Sequence, residues 1–286
     1  KMTTNTTIRT MTFNVRGSDS TSTEDGLNSW SARASLNVAI IKRYEPDTIG
    51  FQEIQNGNWQ TYLDQLPEYD HLKGPKYVNE EPFDYPSIFW KTSRFQLLDS
   101  GGFWLSETPD IFSTGWDAKY VRSVAWIVLR CNDTGLVFTH WNTHLDNKGE
   151  SARIQGAKLI LQYIELLGFN HIPVFITADF NSKPNSEVHR MFLKNNFMDT
   201  FLAAGNHDNS FSDTFHAFEG ADYRSGPLID KYGTDRIKTA TRMDWVLIRL
   251  GVSKTEINSC IILRDHQGLL YPSDHYPVIA ELYFAS

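Results

Sequence analysis

Apolar and polar residues alternate from Ile8 to Asn14, the pattern of a strand with one buried face. Ala34, Val38 and Ile41 then recur at helical spacing within Ser31–Tyr44, and Pro46 supplies a stop. Thr48–Glu53 is a short apolar run that ends in polar residues, as in a buried strand feeding a loop. Runs rich in β-branched and aromatic residues predict successive strands at Pro86–Lys91, Phe95–Gly101, Val121–Arg130 and Leu136–Thr143. Gly149–Leu167 carries Ile154, Ala157, Leu161 and Ile164 on one stripe and reads as a helix. Pro173–Ala178 reads as a strand and Pro184–Asn195 as a short helix. Met243–Ile248, Ile257–Leu263 and Pro277–Tyr283 then follow as strands. Strands paired in sequence, with helices between the groups, imply an α/β protein of two packed sheets covered by helices. No repeat or linker divides the chain, so residues 1–286 read as one domain. Residues 1–7 form a polar tail and residues 221–241 a long polar insertion.

The chemistry-bearing residues stand where these strands end. Asn14 closes the first strand, Glu53 the second and His144 a later one, while Asp179 and Asn181 follow Val174–Ala178. Asp244 sits in Arg242-Met243-Asp244-Trp245, and Asp274-His275 precedes the strand over Pro277–Tyr283. Sheet proteins commonly build ligand sites from such positions. A phosphate ester is anionic and repels hydroxide, so its hydrolysis needs charge neutralisation and an activated water. Glu53, Asp179 and Asp274 offer hard oxygen ligands suited to Mg²⁺, with Mn²⁺ as the other choice, and Asn14 and Asn181 are neutral partners. No Cys/His cluster of zinc-finger spacing is present, which speaks against zinc. Each element alone has a bland explanation: Asp-x-Asn is common in turns, and a single His or Glu is commonly structural or solvated. His140 reads as structural, as do His71, His171, His189, His207 and His266.

Charge changes the picture of what could bind. With 27 Lys+Arg against 34 Asp+Glu the formal net charge is -7, unlike an obligate non-specific binder of duplex DNA. Nucleic acid is not excluded, because bound cations reverse the field around metal-binding carboxylates. The two cysteines, Cys131 and Cys260, are too few for a disulfide framework. No stretch approaches the roughly 18 apolar residues of a membrane span. The expected partner is a phosphate-ester substrate, either a small molecule or nucleic acid, and the expected assembly is a monomer. The sequons at Asn5 and Asn132 leave the compartment open between the cytoplasm, slightly favoured, and a secreted mature chain.

Taken in order, Thr12-Phe13-Asn14, Gln52-Glu53, Asn142-Thr143-His144-Leu145, Ala178-Asp179-Phe180-Asn181, Met243-Asp244-Trp245 and Ser273-Asp274-His275-Tyr276-Pro277 resemble the endonuclease/exonuclease/phosphatase superfamily. No single motif is specific, but their joint occurrence across nearly the whole chain is. The resemblance implies a four-layer α/β/β/α sandwich with a metal site at one edge. It implies that Glu53 is the principal metal ligand, supported by Asn14, and that Asp274 helps to hold a metal. By the same resemblance Asp179 positions or deprotonates the attacking water, and Asn181 holds the phosphate. His275, oriented by Asp244, binds the scissile phosphate, and His144 stabilises charge in the transition state.

Phe103-Trp104-Leu105-Ser106-Glu107-Thr108-Pro109 and Thr214-Phe215-His216 further resemble a bacterial branch related to the deadenylase-like group. Arg122 suits a phosphate contact, with a surface salt bridge as an equal alternative. Asp84 is a loosely aligned partner for His144. The insertion, with Arg224, Lys231, Arg236 and Lys238, either shapes substrate entry or is a solvated loop. Three functions compete: a phosphatase or phosphodiesterase of small substrates, a nuclease acting on RNA or DNA, and a non-catalytic binding protein. A phospholipase would need an apolar membrane-inserting loop, and none is apparent.

Overall fold

A computed structural model of the chain describes residues 5–18, 26–75, 85–209, 211–224, 242–252 and 254–285. The first strand, β1 (Thr6–Asn14), leads to helix α1 (Trp30–Tyr44) and then β2 (Thr48–Ile54). Ser29 caps α1 by accepting from the Ala32 amide, and the helix stops at Glu45, left-handed before Pro46. Helix α2 (Asn56–Gln65) and the short β3 (Tyr69–Leu72) precede β4 (Tyr85–Lys91), β5 (Phe95–Trp104), β6 (Ser123–Cys131) and β7 (Val137–His144). Helix α3 (Glu150–Leu166), β8 (Val174–Asp179), α4 (Glu187–Lys194), β9 (Phe197–Asp199) and α5 (Thr200–Ala203) follow. Then come β10 (Asp244–Arg249), β11 (Lys254–Ile262) and β12 (Val278–Ala285).

The strands form two six-stranded mixed sheets, ordered β11-β12-β1-β2-β4-β3 and β5-β6-β7-β8-β10-β9. Between them lies an apolar layer that includes Ile8, Ile88, Ile127, Phe138, Phe175, Ile248 and Leu282. A second layer packs α1 and α2 against the first sheet through Ile41, Phe51, Tyr62 and Phe89. A third packs α3 and α4 against the other sheet through Ile160, Ile164, Trp141, Phe192 and Trp245. The order is therefore α/β/β/α, as the resemblance implied. Among the described residues no helix is long and apolar enough to cross a membrane.

Several boundaries differ from the sequence expectation. Thr6 and Thr7 belong to β1, inside the expected polar tail of residues 1–7, because they pair with Phe284 and Tyr283. Strand β5 runs past Gly101 to Trp104 because Gly102 and Phe103 pair with Ala125 and Val124. Helices α2 and α5 and strands β3 and β9 were not expected. Of the insertion, residues 221–224 belong to a short 3-10 turn, Gly220–Arg224, and the remainder, 225–241, lies outside the described residues, as does Asp84.

Near one edge the sheets are joined by polar groups instead of hydrocarbon. Asn142 donates to the carbonyls of Phe51 (2.6 Å) and Ser87 (3.0 Å) and accepts from Gln52 (2.7 Å) and Thr177 (3.0 Å). Gly50 allows this close approach, since a Cβ there would lie 1.8 Å from Thr177 Oγ1 and 2.6 Å from Asn142 Oδ1. The expectation for His140 holds: it is buried, bonds Thr177 Oγ1 at 2.8 Å, and burial pulls its pKa down to about 3.

Candidate active site

Strand direction explains why distant residues meet. β1 and β2 are parallel, as are β7 and β8, so both pairs send their carboxyl ends the same way. β10 runs antiparallel to β8 and β12 antiparallel to β1, which brings their leading ends to that same edge. Asn14, Glu53, His144, Asp179, Asp244 and the Ser273–Pro277 approach to β12 therefore converge there. The edge is bent as well as crowded. A register shift between Phe51 and Ile54 marks an irregularity in β2, and Glu53 sits at φ 60 within it. Arg16 (φ 56) and Asn181 (φ 46) share this left-handed backbone just past strand ends, a conformation typical of functional sites.

The Asn14 amide nitrogen is the hub. It lies 3.0 Å from Glu53 Oε1, 3.0 Å from Asp179 Oδ2 and 3.5 Å from His275 Nε2. Its oxygen accepts from the Arg16 backbone (3.0 Å), so Asn14 offers nitrogen to the carboxylates and holds them in place. His275 Nδ1 is 2.9 Å from Asp244 Oδ2, and Nε2 is 3.7 Å from Asp179 Oδ2. Burial opposes charge on this ring, but Asp244 and Asp179 outweigh it and push its pKa up to about 10. Burial likewise opposes charge on Asp179, yet the neighbouring His144 and His275 hold it well below the usual carboxylate range. Asn181 Nδ2 lies 3.0 Å from His144 Nε2 and 2.9 Å from the Leu145 carbonyl, and His144 Nε2 is 3.3 Å from Asp179. The Asp179 carboxylate also accepts from the Asn181 amide at 2.9 Å. Among the described residues, no partner bonds His144 Nδ1.

Glu53 and Asp274 face the same guanidinium, that of Arg16, at 3.7 and 3.6 Å. Burial raises the Asp274 pKa, and it opposes ionisation of Glu53, which His144 and Arg16 nonetheless hold ionised. Two acidic groups sharing one cation, both with oxygen donors, fit a hard divalent ion such as Mg²⁺ or Mn²⁺. A second cluster competes on geometry: donor atoms of Asp179, Asp244 and His275 lie within 4.8 Å of one another. There, however, the His275–Asp244 hydrogen bond already uses one ring nitrogen and a carboxylate oxygen. Glu53 and Asp274 are joined to each other only through Arg16, at the longer distances of 3.7 and 3.6 Å.

Among the described residues, the Arg122 guanidinium has no recorded contact with this group. Its described partners are Asp146, at 3.6 Å, and the Tyr120 ring. The salt bridge is buried, not on the surface, and Asp146 accepts the amides of Tyr120, Lys148 and Gly149. Sequence reasoning missed three supports. Arg33, fully buried on α1, donates to the carbonyls of Asn28, Val15, Arg16, Gly17 and Pro272, tying the exit of β1 to the approach to β12. Thr214 Oγ1 accepts the amides of Met243 and Asp244, and Ser273 Oγ donates to the Asn14 carbonyl at 2.7 Å. Arg16 was missed as well; it stands two residues past Asn14, the one positional signal that could have found it.

Comparison with known proteins bears on family and fold. Human nocturnin is 23% identical over 284 residues, covering 89% of this chain and 58% of its own length. An uncharacterized protein of Acanthamoeba polyphaga mimivirus is 26% identical over 179 residues, 59% of this chain and 65% of its own length. The chain thus spans less than two thirds of the length of these curated relatives. Among solved structures, an endonuclease/exonuclease/phosphatase family protein of Bacteroides thetaiotaomicron superposes with a TM-score of 0.83 at 25% identity, covering 98% of this chain and 99% of that one. A mannosyl-6-phosphatase of the same organism gives 0.81 at 25% identity, covering 96% and 99%. The model of the Endonuclease/Exonuclease/phosphatase family matches residues 11–275, which take in all but the strand-pairing ends of the fold, and the chain belongs to that family.

Proposed function

We propose that the protein is a divalent-metal-dependent hydrolase of phosphate esters, acting by in-line attack of water on phosphorus. The observation that carries this reading is the cluster of Glu53, Asp179 and Asp274, one half-buried and two buried carboxylates facing Arg16, His144 and His275 where the sheets meet. Mg²⁺ or Mn²⁺ held by Glu53 and Asp274 would neutralise phosphate charge and lower the pKa of the attacking water. Asp179, kept ionised, orients that water and takes its proton. Asn181 and His144, side by side at 3.0 Å, bind phosphate oxygens. His275, kept charged and oriented by Asp244, protonates the departing oxygen as the P–O bond breaks. Asp179, 3.7 Å away, returns the proton it took, so the site ends as it began.

Small phosphate esters are the better substrates for this reading. The mannosyl-6-phosphatase resembles the whole chain, whereas the RNA exonuclease of Saccharomyces cerevisiae is 20% identical over 56% of it. A net charge of -7 also disfavours a long polyanion. Nuclease action is the second reading, favoured by the exonuclease relatives. A panel of nucleotides, sugar phosphates, a phosphodiester reporter, RNA and DNA, assayed with Mg²⁺, Mn²⁺, Ca²⁺ or EDTA, tests both. Hydrolysis should need the cation and favour small esters. Full activity after exhaustive chelation would overturn metal dependence, and preference for RNA or DNA would favour the nuclease.

A further inference from the structure

We infer that a cavity beside Asn181 is the subsite for the alcohol part of the substrate, and that this alcohol is a polyol such as a sugar; the inference rests on the phosphoesterase reading above. The cavity has a volume of about 410 Å³ and shares one wall residue with the site, Asn181, whose amide nitrogen lies 3.0 Å from His144 Nε2. That size falls within the roughly 300–1,000 Å³ of small-molecule sites. One wall is the loop over 181–186, fixed where the Asn185 amide donates to His189 Nδ1 (3.1 Å) and Ser186 caps α4. The other is the first turn of α3, held by Asp117, which accepts the amides of Ser151 and Ala152. Both walls are therefore built before any substrate arrives.

Among the polar groups lining this space are Glu150, Arg153, Lys183, Asn185 and Glu187. Two carboxylates offset two cations, so the wall suits an uncharged group better than a second phosphate. Carboxylates accept from hydroxyls, while amide and guanidinium donate to them, which matches the alternating needs of a polyol. Nucleobases are held by stacking on aromatic rings, and no aromatic residue lines the cavity among the described residues.

The test compares a hexose 6-phosphate, p-nitrophenyl phosphate and a short RNA as substrates of the full chain with Mg²⁺, before and after Glu150→Gln together with Glu187→Gln. Electrostatics alone would make the double variant bind an anion no worse, since it removes negative charge. KM for the hexose phosphate should nevertheless rise about tenfold, the loss expected for hydrogen bonds to charged groups, with kcat within about twofold. KM for p-nitrophenyl phosphate, which has no hydroxyls to place, should not rise. In an Asp179→Asn background with chelator, calorimetry should show the same roughly tenfold loss in hexose phosphate affinity. An unchanged KM and Kd, with p-nitrophenyl phosphate still hydrolysed, would overturn the subsite alone. So would RNA turned over faster than the hexose phosphate. No hydrolysis of any monoester would overturn the phosphoesterase reading and this inference together.

Discussion

His275 lies between two carboxylates, and that position determines what its neighbours can be asked to do. Asp244→Asn and His275→Ala should each lower kcat by roughly a hundredfold or more, as for acid–base groups. The double variant should be little worse than the worse single one, and multiplicative losses in steady-state rates would show that the two act separately. A second buried carboxylate, Asp199, carries stability instead. It lies 2.7 Å from Arg242 and 2.9 Å from His189, and although burial opposes it, these partners hold its pKa below the usual value. A depressed folded pKa contributes stability above the unfolded carboxylate value of about 4 and loses it as pH falls through the folded value. Asp199→Asn should therefore cost on the order of 3 kcal/mol at pH 7. The gap from wild type should close below about pH 4, as read from denaturant midpoints across pH 3 to 7. The candidate oxygen- and imidazole-bearing residues were legible in sequence because each stands at one end of an apolar strand. Arg33 was not, because a cation on a helix ordinarily faces water and nothing local marks the five carbonyls that surround it.

Strands and helices of ordinary length were legible, since periodicity needs several residues to declare itself. β9 and α5 have three and four residues, too few for any period, and α2 (Asn-Gly-Asn-Trp-Gln-Thr-Tyr-Leu-Asp-Gln) has no clean apolar stripe. How closely the elements approach one another was hidden too. Gly50 in β2 reads as a weak spot in a strand, yet it admits Thr177 and Asn142 from the opposite sheet. Gly50→Ala should cost about 1–3 kcal/mol through overpacking and should also lower kcat, because the displaced strand carries Glu53. Thermal melts with wild-type midpoints would contradict the close approach. Arg33→Lys leaves one compact charge where a planar fork served five carbonyls. It should lower kcat about tenfold or more through misplacement of the Asn14 and Asp274 loops, with circular dichroism checking that the fold persists.

For the molecule as a whole, the two-sheet sandwich was legible because its strand groups and helices alternate along the chain. The insertion at 221–241 was legible only as a composition, and most of it falls outside the described residues. The acidic balance bears on stability as well as on partners. Cations that bind only the folded site should raise the melting temperature in proportion to the logarithm of their concentration. Scanning calorimetry with millimolar Mg²⁺ should show that rise in wild type and its loss in Glu53→Gln; an equal rise in both would remove Glu53 from the ion's ligands. One consequence of the strand order concerns time. β1 is hydrogen-bonded on one side to β12, whose register partners lie some 270 residues further along the chain. At ribosomal rates of about 5–20 residues per second, β1 waits roughly a quarter of a minute to a minute for that neighbour. Until then Asn14 has no His275 beside it, so a nascent chain carries an unpaired edge strand and no assembled site, and early chaperone contact would fall on β1.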